Sequence, residues 1–225
     1  MSDKTFKNCV YTVIVILILV FFTKDIPLFG NKEYQDIKTI KKPHELLVLV
    51  NKNNKLPDGF VPNNLEIIDL RFSNADKKLV KEAKEKFEQL SSDARILGYN
   101  IIAVSAYRDY EYQKKLYENY VKEKGQVYAD KSSARPGHSE HQTGLAVDVM
   151  GSNNDYDEFE SSNEFEWMRD NAHIYGFIMR YPKGKEHITG FKYEPWHYRY
   201  VGVGVAKVIY ENNLTLEEYF EQYEK

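Results

Sequence analysis

The chain has little of the residues and patterns that would identify several common classes of protein. It contains one cysteine, Cys9, among 225 residues, so a disulfide bond within the chain is excluded. Lysine and arginine number 31 against 34 aspartates and glutamates, and the net charge of −3 gives no basic surface for nucleic acid. No internal repeat or low-complexity segment is present either. A folded domain of this chain must therefore be held by its apolar core, to which the 42% of hydrophobic residues contribute.

Long apolar runs are scarce as well, because only residues 9–22 form one, free of charge and preceded by Lys4 and Lys7. The run is about 14 residues long, short for the roughly 20 that cross a bilayer, but flanking residues can extend it. No small-x-small cleavage site follows at residues 23–27, which favours an uncleaved membrane anchor over a cleaved secretory signal or a buried core segment. The two lysines place the N-terminus in the cytoplasm. We therefore predict a single-pass protein of the cell membrane with an extracytoplasmic domain, secreted if the segment is cleaved.

The rest of the chain has room for one domain of ordinary size. Polar and charged residues without a clear period follow the apolar run and predict a stalk. We place the N-terminal membrane anchor or signal segment at residues 1–28, the stalk at 29–44 and the globular domain at 45–225.

Hydrophobic periodicity predicts a mixed fold. Apolar residues recur at steps of three and four between 76 and 97 and predict an amphipathic helix that ends at Gly98. Asp109 can cap a second helix, and Thr215 begins a capping box that opens a C-terminal one. A further helix is predicted at 163–175, a loop at 126–140, and strands at 46–50, 101–105, 144–149, 177–179 and 194–200. This mixed order predicts an α+β domain with a small antiparallel sheet flanked by helices.

Residues 139–148, with the sequence SEHQTGLAVD, and residues 194–197, with the sequence EPWH, together hold the components of a catalytic metal site. They provide the imidazoles of His141 and His197 and the carboxylate of Asp148 as metal ligands, and leave Glu194 free to act on water. Catalytic zinc sites use three protein ligands and a water, whereas structural sites close all four positions. Seven positions along one strand would separate His141 from Asp148 by about 23 Å, so a bend at Gly144 is required.

The same segments carry a resemblance to a known family. Residues 105–108 (SAYR), 134–149 (ARPGHSEHQTGLAVDV), 175–182 (YGFIMRYP) and 194–197 resemble the zinc D-alanyl-D-alanine carboxypeptidases of the VanY family, including the LdcB-type L,D-carboxypeptidases. The resemblance extends over residues 46–219 and implies a Hedgehog/DD-peptidase-like fold that binds Zn²⁺. It also implies a role for each site residue: His141, Asp148 and His197 as zinc ligands, Glu194 as catalytic base, Arg108 as oxyanion stabiliser, and Gln113 and Ser139 as substrate-binding residues.

The resemblance further implies that the substrate is the peptidoglycan stem peptide, from which the enzyme removes the C-terminal D-alanine. Two alternatives use the same fold: a non-catalytic peptidoglycan-binding module, and an endopeptidase that cuts inside the stem peptide. The presence of Glu194 favours an enzyme over the binding module. D,D- and L,D-specificity stay open at this point, because both branches of the family share these motifs.

Overall fold

The computed structural model describes residues 33–152 and 155–224. The predicted anchor at residues 1–28 lies outside them, and within the described part of the chain no helix is long and apolar enough to cross a membrane. The described residues from Asp36 onwards form one compact unit. The predicted boundaries of anchor, stalk and domain stay a prediction, although Lys38–Thr39 of the predicted stalk pair in parallel with Asn54–Lys55.

The described elements alternate between short strands and helices along the chain. The strands are β1 (Lys38–Thr39), β2 (Asn54–Lys55), β3 (Leu65–Ile67), β4 (Lys78–Val80), β5 (Ile102–Ser105), β6 (Ala146–Met150), β7 (Phe177–Met179) and β8 (His197–Tyr200). The helices are α1 (Lys81–Ile96), α2 (Tyr110–Lys124), α3 (Gln126–Ser132), α4 (Tyr156–Phe159), α5 (Asn163–Asn171), α6 (Glu186–Thr189), α7 (Val203–Glu211) and α8 (Leu216–Tyr223). Two 3-10 turns span Glu140–Thr143 and Ala172–Tyr175.

A four-stranded antiparallel sheet in the order β5-β6-β8-β7 forms the centre of the domain. All five residues of β6 are buried. The pairing of β6 with β8 sets Asp148 directly opposite His197, so the register alone brings two predicted ligands together. The sheet with its surrounding helices confirms the predicted α+β class with a small antiparallel sheet.

Helix α1 begins at Lys81, five residues later than the spacing of apolar residues predicts. Residues Lys78–Val80 pair with β3 instead of joining the helix, so Leu79 is buried from a strand and the predicted start at residue 76 was wrong. Strand pairing therefore outweighs the local helical period here. The end was predicted correctly, because Gly98 has φ +91° and its N–H donates to the carbonyl of Arg95 at 3.0 Å. The N–H of Tyr99 donates to Ala94 at 3.0 Å and completes a Schellman cap.

Several other boundaries differ from the prediction. The segment at 46–50 is not part of a sheet, and the carbonyls of Leu46 and Val48 accept hydrogen bonds from Nη2 of Arg199 at 3.0 and 2.9 Å. The predicted loop at 126–140 contains α3, and the helix predicted at 163–175 ends as a 3-10 turn. Helix α7 was not predicted, because Gly202 before it and Gly204 in its first turn are unfavourable in helices. The last strand begins at His197 and not at residue 194.

The C-terminal helices cover one side of the sheet. Ile178 of β7 and Val201, which follows β8, pack with buried apolar residues of α7 and α8. The capping box of α8 forms as predicted, because Thr215 Oγ1 accepts from the N–H of Glu218 at 3.1 Å while Glu218 Oε2 accepts from the N–H of Thr215 at 2.7 Å. Helix α8 is therefore held firmly at its first turn.

Candidate active site

Three buried side chains converge at the middle of the sheet. His141 lies in the 3-10 turn before β6, Asp148 on β6, and His197 at the start of β8. Oδ1 of Asp148 is 3.3 Å from Nε2 of His141 and 2.8 Å from Nδ1 of His197. One ligand atom of each residue lies within 4.8 Å of the other two. The structure thus brings the three predicted ligands together.

The bend that the sequence requires between His141 and Asp148 is present at Gly144. Its φ of +68° is in the left-handed region, where glycine is the preferred residue. A Cβ there would lie 2.8 Å from Cδ2 of Leu65 and 3.1 Å from Cγ1 of Val80. The turn is therefore both conformationally restricted and closely packed against the β3-β4 pair.

The surroundings of the ring nitrogens indicate which nitrogen of each imidazole faces the position of a metal. Nδ1 of His141 lies 2.6 Å from the carbonyl of Ala106, which can only accept, so this nitrogen carries the proton and Nε2 offers its lone pair. Nε2 of His141 is buried without a hydrogen-bond partner. Nδ1 of His197 faces Asp148, and its Nε2 points away towards Glu140. Two nitrogens and one carboxylate oxygen around one point suit zinc, and the partnerless nitrogen is what a metal would satisfy.

The charges of the group differ strongly in the metal-free protein. Burial lowers the pKa of His141 to about 4. Burial alone would also lower the pKa of His197, but the carboxylates of Asp148 and Glu140 raise it to about 9. Burial would raise the pKa of Asp148, yet the two imidazoles hold it well below its ordinary value. Asp148 is therefore available as an anionic ligand, and His197 has to release a proton to become one.

Glu194 stands beside the three ligands and outside their group. It begins a turn over Pro195 and Trp196 that is closed by the N–H of His197 donating to the carbonyl of Glu194 at 3.2 Å. In one continuous strand, residues three apart would face opposite sides, but Glu194 precedes the strand and the turn brings it to the same side as His197. Its Oε2 is 3.9 Å from Nδ1 of His197. Burial and the nearby Asp148 raise the pKa of Glu194 to about 7, the range suited to a general base.

Arg108 approaches from β5 and directs its guanidinium to the same place. Its Nη1 is 3.5 Å from Oδ2 of Asp148 and donates to Oγ of Ser105 at 2.8 Å. Its Nε donates to Oε1 of Gln113 at 3.1 Å, and Nε2 of Gln113 donates in turn to the carbonyl of Ala134 at 2.8 Å. Gln113 is fully buried behind Arg108, so its visible action is to orient that guanidinium. Direct contact of Gln113 with substrate stays a prediction.

These residues open onto a cavity of about 830 Å³, large enough for a short peptide. Arg108, Ser139, Glu194 and the three convergent residues line it, whereas Gln113 does not. The rings of Tyr156 and Trp196 also line it and meet edge to face, with their centroids 5.0 Å apart. Ser139 therefore lies at the wall of the cavity, and its contact with substrate stays a prediction.

Sequence reasoning missed a buried ionic cluster directly behind the site. Glu140, between Ser139 and His141, is paired with Arg180 and Arg199 at 2.8 and 2.7 Å. Burial would raise the pKa of Glu140, but the two guanidiniums hold it well below its ordinary value. The signal was present in the quoted motifs, because a Glu inside a run of buried residues demands a cation, and Arg180 lies in another of those runs.

Two histidines and a carboxylate with an adjacent unligated Glu define a mononuclear metallohydrolase site. Residues 76–203 match the profile of the VanY family, described as D-alanyl-D-alanine carboxypeptidase. The chain is also 45% identical over 201 residues to the putative carboxypeptidase YodJ of Bacillus subtilis (strain 168), covering 86% of this chain and 74% of that protein. The chain therefore belongs to the VanY family of D-alanyl-D-alanine carboxypeptidases.

Solved structures agree with this membership. The LdcB LD-carboxypeptidase is 46% identical with a TM-score of 0.78, over 84% of this chain and 91% of that chain. A mutant of the vancomycin-resistance D,D-pentapeptidase VanY in complex with Zn(II) is 34% identical with a TM-score of 0.68, over 78% of this chain and 99% of that chain. The predictions of the family, the fold and a zinc carboxypeptidase are thereby confirmed, and this chain carries a His-Asp-His group that could hold the ion.

Proposed function

We propose that the protein removes the C-terminal D-alanine from peptidoglycan stem peptides, with His141, Asp148 and His197 as the zinc ligands. The observation that carries this proposal is the convergence of these three buried side chains beside the unligated Glu194, whose Oε2 is 3.9 Å from Nδ1 of His197. Bound zinc lowers the pKa of water and polarises a carbonyl, which is the chemistry that peptide hydrolysis needs.

The protein's own residues supply the remaining steps. Glu194 accepts the proton of the attacking water and returns it to the departing amine of D-alanine, a double role that suits a carboxyl with its pKa near 7. Arg108 is held by Ser105 and Gln113 with its Nη1 3.5 Å from Asp148. A guanidinium fixed there stabilises the negative charge that develops on the scissile carbonyl oxygen more than it stabilises the uncharged ground state. Ser139 contacts the substrate from the wall of the cavity.

Between the two specificities of the family, we infer L,D-carboxypeptidase activity on tetrapeptide stems. The support is the higher similarity to the LdcB LD-carboxypeptidase, at 46% identity and a TM-score of 0.78, than to the D,D-pentapeptidase, at 34% and 0.68.

For the location of the enzyme we propose a single-pass membrane anchor with the catalytic domain outside the cell membrane. The support is the uncharged run at residues 9–22 behind Lys4 and Lys7, which orients the following domain away from the cytoplasm. Stem peptides of the wall lie on that side, so the substrate and the proposed location agree. Protease treatment of intact cells and of lysed cells tests it: an anchored extracytoplasmic domain is digested in both, whereas an internal one survives in intact cells.

The activity is tested with the purified full-length chain, zinc and two defined muropeptides, one with a tetrapeptide stem and one with a pentapeptide stem. Mass spectrometry of the products should show loss of one D-alanine from the tetrapeptide at a rate well above that for the pentapeptide. Glu194→Gln is the control and should leave both peptides intact. Preferential cleavage of the pentapeptide would establish D,D-specificity, internal cleavage would establish an endopeptidase, and no cleavage of either would refute the proposal.

A further inference from the structure

Three alternating charges, those of Glu217, Arg180 and Glu140, lead from the C-terminal helix α8 to His197, and Arg199 adds a fourth charge beside Glu140. Nη1 and Nη2 of Arg180 donate to the two carboxylate oxygens of Glu217 at 2.8 and 2.6 Å, and Nε of Arg180 donates to Oε1 of Glu140 at 2.8 Å. Nη1 of Arg199 donates to the same Oε1 at 2.7 Å. Glu140, Arg180 and Arg199 are fully buried, and Glu217 is exposed only at its edge, with 15% of its side chain accessible. The two negative and two positive groups balance.

The two oxygens of Glu140 have different surroundings, which is the key to its role. Oε1 accepts from both arginines, whereas Oε2 has no hydrogen-bond partner although it is buried. Oε2 lies 3.7 Å from Nε2 of His197, which is buried without a hydrogen-bond partner as well. Buried polar atoms without partners are rare. Here an acceptor and a possible donor face each other, separated by slightly more than a hydrogen bond.

The arginines hold Glu140 in this orientation from fixed positions. Arg199 lies on β8 two residues after His197 and also donates to the backbone carbonyls of Leu46 and Val48. Arg180 follows β7 and is fixed on its other side by Glu217 in the first turn of α8. The two hydrogen bonds to Oε1 restrict rotation of the Glu140 carboxylate and so keep Oε2 on the side of His197.

The arrangement has a counterpart at the other imidazole. Nδ1 of His141 is oriented by the carbonyl of Ala106 at 2.6 Å, which leaves its Nε2 for the metal. Metal-binding histidines usually donate their second N–H to such an acceptor, and the acceptor fixes both the tautomer and the ring orientation. His197 lacks a backbone acceptor of this kind and has Glu140 in the equivalent position.

We propose that Glu140 is a positioning residue for the zinc site, whose Oε2 accepts the Nε2–H of His197 and thereby directs Nδ1 of His197 to zinc. The pair of Arg180 and Glu217 extends this control to helix α8. The inference rests on the proposed function in one respect, the assignment of His197 as a zinc ligand. Glu140 is among the residues around the cavity but is itself fully buried, and its Oε2 faces Nε2 of His197, so it acts through His197.

The test measures zinc affinity of the full-length protein by competition with a chromogenic chelator, which needs no substrate. Glu140→Asp keeps the negative charge between the two arginines but withdraws the carboxylate by one methylene from His197. We expect it to weaken zinc binding by about 10- to 100-fold, the usual effect of losing such a partner. Glu140→Gln retains the side-chain volume and should also weaken it, because an amide cannot accept as strongly from His197.

A second pair of variants separates positioning from stability and stays informative if the Glu140 variants fail to fold. Glu217→Gln removes the negative charge that pairs with Arg180 at the accessible edge of the cluster. It should weaken zinc binding less than Glu140→Asp does. Glu218→Gln is the matched control on the same helix turn, because it removes the charge of the 3.0 Å ion pair with Lys185 and no hydrogen bond to Arg180, while its amide oxygen can still accept from the N–H of Thr215. It should lower the unfolding temperature and leave zinc affinity unchanged.

Long-range nitrogen–proton NMR of the zinc-loaded protein gives an independent measure of the imidazole of His197. The ring should be protonated at Nε2 in the wild type and lose this fixed tautomer in Glu140→Gln. Wild-type zinc affinity in every folded variant of Glu140 and Glu217 would overturn the inference while leaving the proposed function intact. Failure of the wild type to bind zinc would overturn both.

Discussion

Gly144 is the residue on which the shape of the metal site depends most directly, and replacing it with alanine should damage stability and zinc binding together. Its φ is +68°, and an added Cβ would lie 2.8 Å from Cδ2 of Leu65 and 3.3 Å from the backbone N of Val80. A side chain in the left-handed region costs roughly 1–2 kcal/mol. Overpacking of a closely packed site adds typically about 1–3 kcal/mol. We therefore expect Gly144→Ala to lower the free energy of unfolding by about 2–5 kcal/mol.

Gly98 provides a matched control for this substitution. Its φ of +91° is similar, but a Cβ there would meet nothing within 4 Å. Gly98→Ala therefore carries the conformational cost alone, about 1–2 kcal/mol, at a site far along the chain from the metal ligands. The difference between the two variants isolates the contact of residue 144 with Leu65 and Val80.

The assay is urea unfolding of both variants in the metal-free state, followed by chelator competition for zinc. Gly144→Ala should be the less stable of the two and should bind zinc more weakly than wild type, because relief of the contact shifts His141 relative to Asp148. Gly98→Ala should bind zinc like wild type. Equal losses of stability in the two variants, with zinc affinity retained in both, would refute the claim that this turn is set by steric contact.

Three further predictions follow from the charges of the site. Glu194→Gln should lower kcat by at least about 10²-fold with zinc content unchanged by metal analysis, because it removes the general base and no ligand. Arg108→Ala should lower kcat by about 10²–10³-fold with a smaller change in KM, as measured with the tetrapeptide, because the guanidinium acts on charge that develops in the transition state. The pKa of His197 is raised to about 9, so one proton must leave this imidazole before zinc binds. Zinc affinity should therefore rise by about tenfold per pH unit from pH 7 to pH 9 and then level off. A flat chelator-competition profile over that range would show that His197 is already neutral.

The fold could be predicted where local signals and tertiary pairing agree. The caps at Asp109 and Thr215 and the left-handed Gly98 formed as predicted, because each depends on a few neighbouring residues. The start of α1 could not be predicted, since residues Lys78–Val80 continue the helical period but are used as a strand by β3. The spacing of apolar residues in residues 76–97 carries no information on whether β3 is available for strand pairing.

The ligand group was predictable for a different reason, namely that metal chemistry accepts few residue types. Two His, one Asp and two Glu in two short motifs leave few choices of role, and the register that sets Asp148 opposite His197 agrees with the predicted ligand group. The orientation of each imidazole was not predictable. It depends on an acceptor such as the carbonyl of Ala106, which is supplied by a separate strand end and carries no sequence signature.

The ionic cluster behind the site joins side chains that lie far apart in the sequence, including Glu217 of the C-terminal helix α8. Arg180 joins Glu140 to Glu217 across separations of 40 and 37 residues, so no spacing rule relates the three. Burial nevertheless links them, because removing one member of a buried charge pair typically costs about 3–5 kcal/mol and leaves the other charge uncompensated. A purely structural cluster would need only charge balance, which Glu140, Arg180, Arg199 and Glu217 achieve through Oε1 of Glu140 alone. The partnerless Oε2 of Glu140, 3.7 Å from a partnerless nitrogen of His197, goes beyond that need and ties the cluster to the metal site.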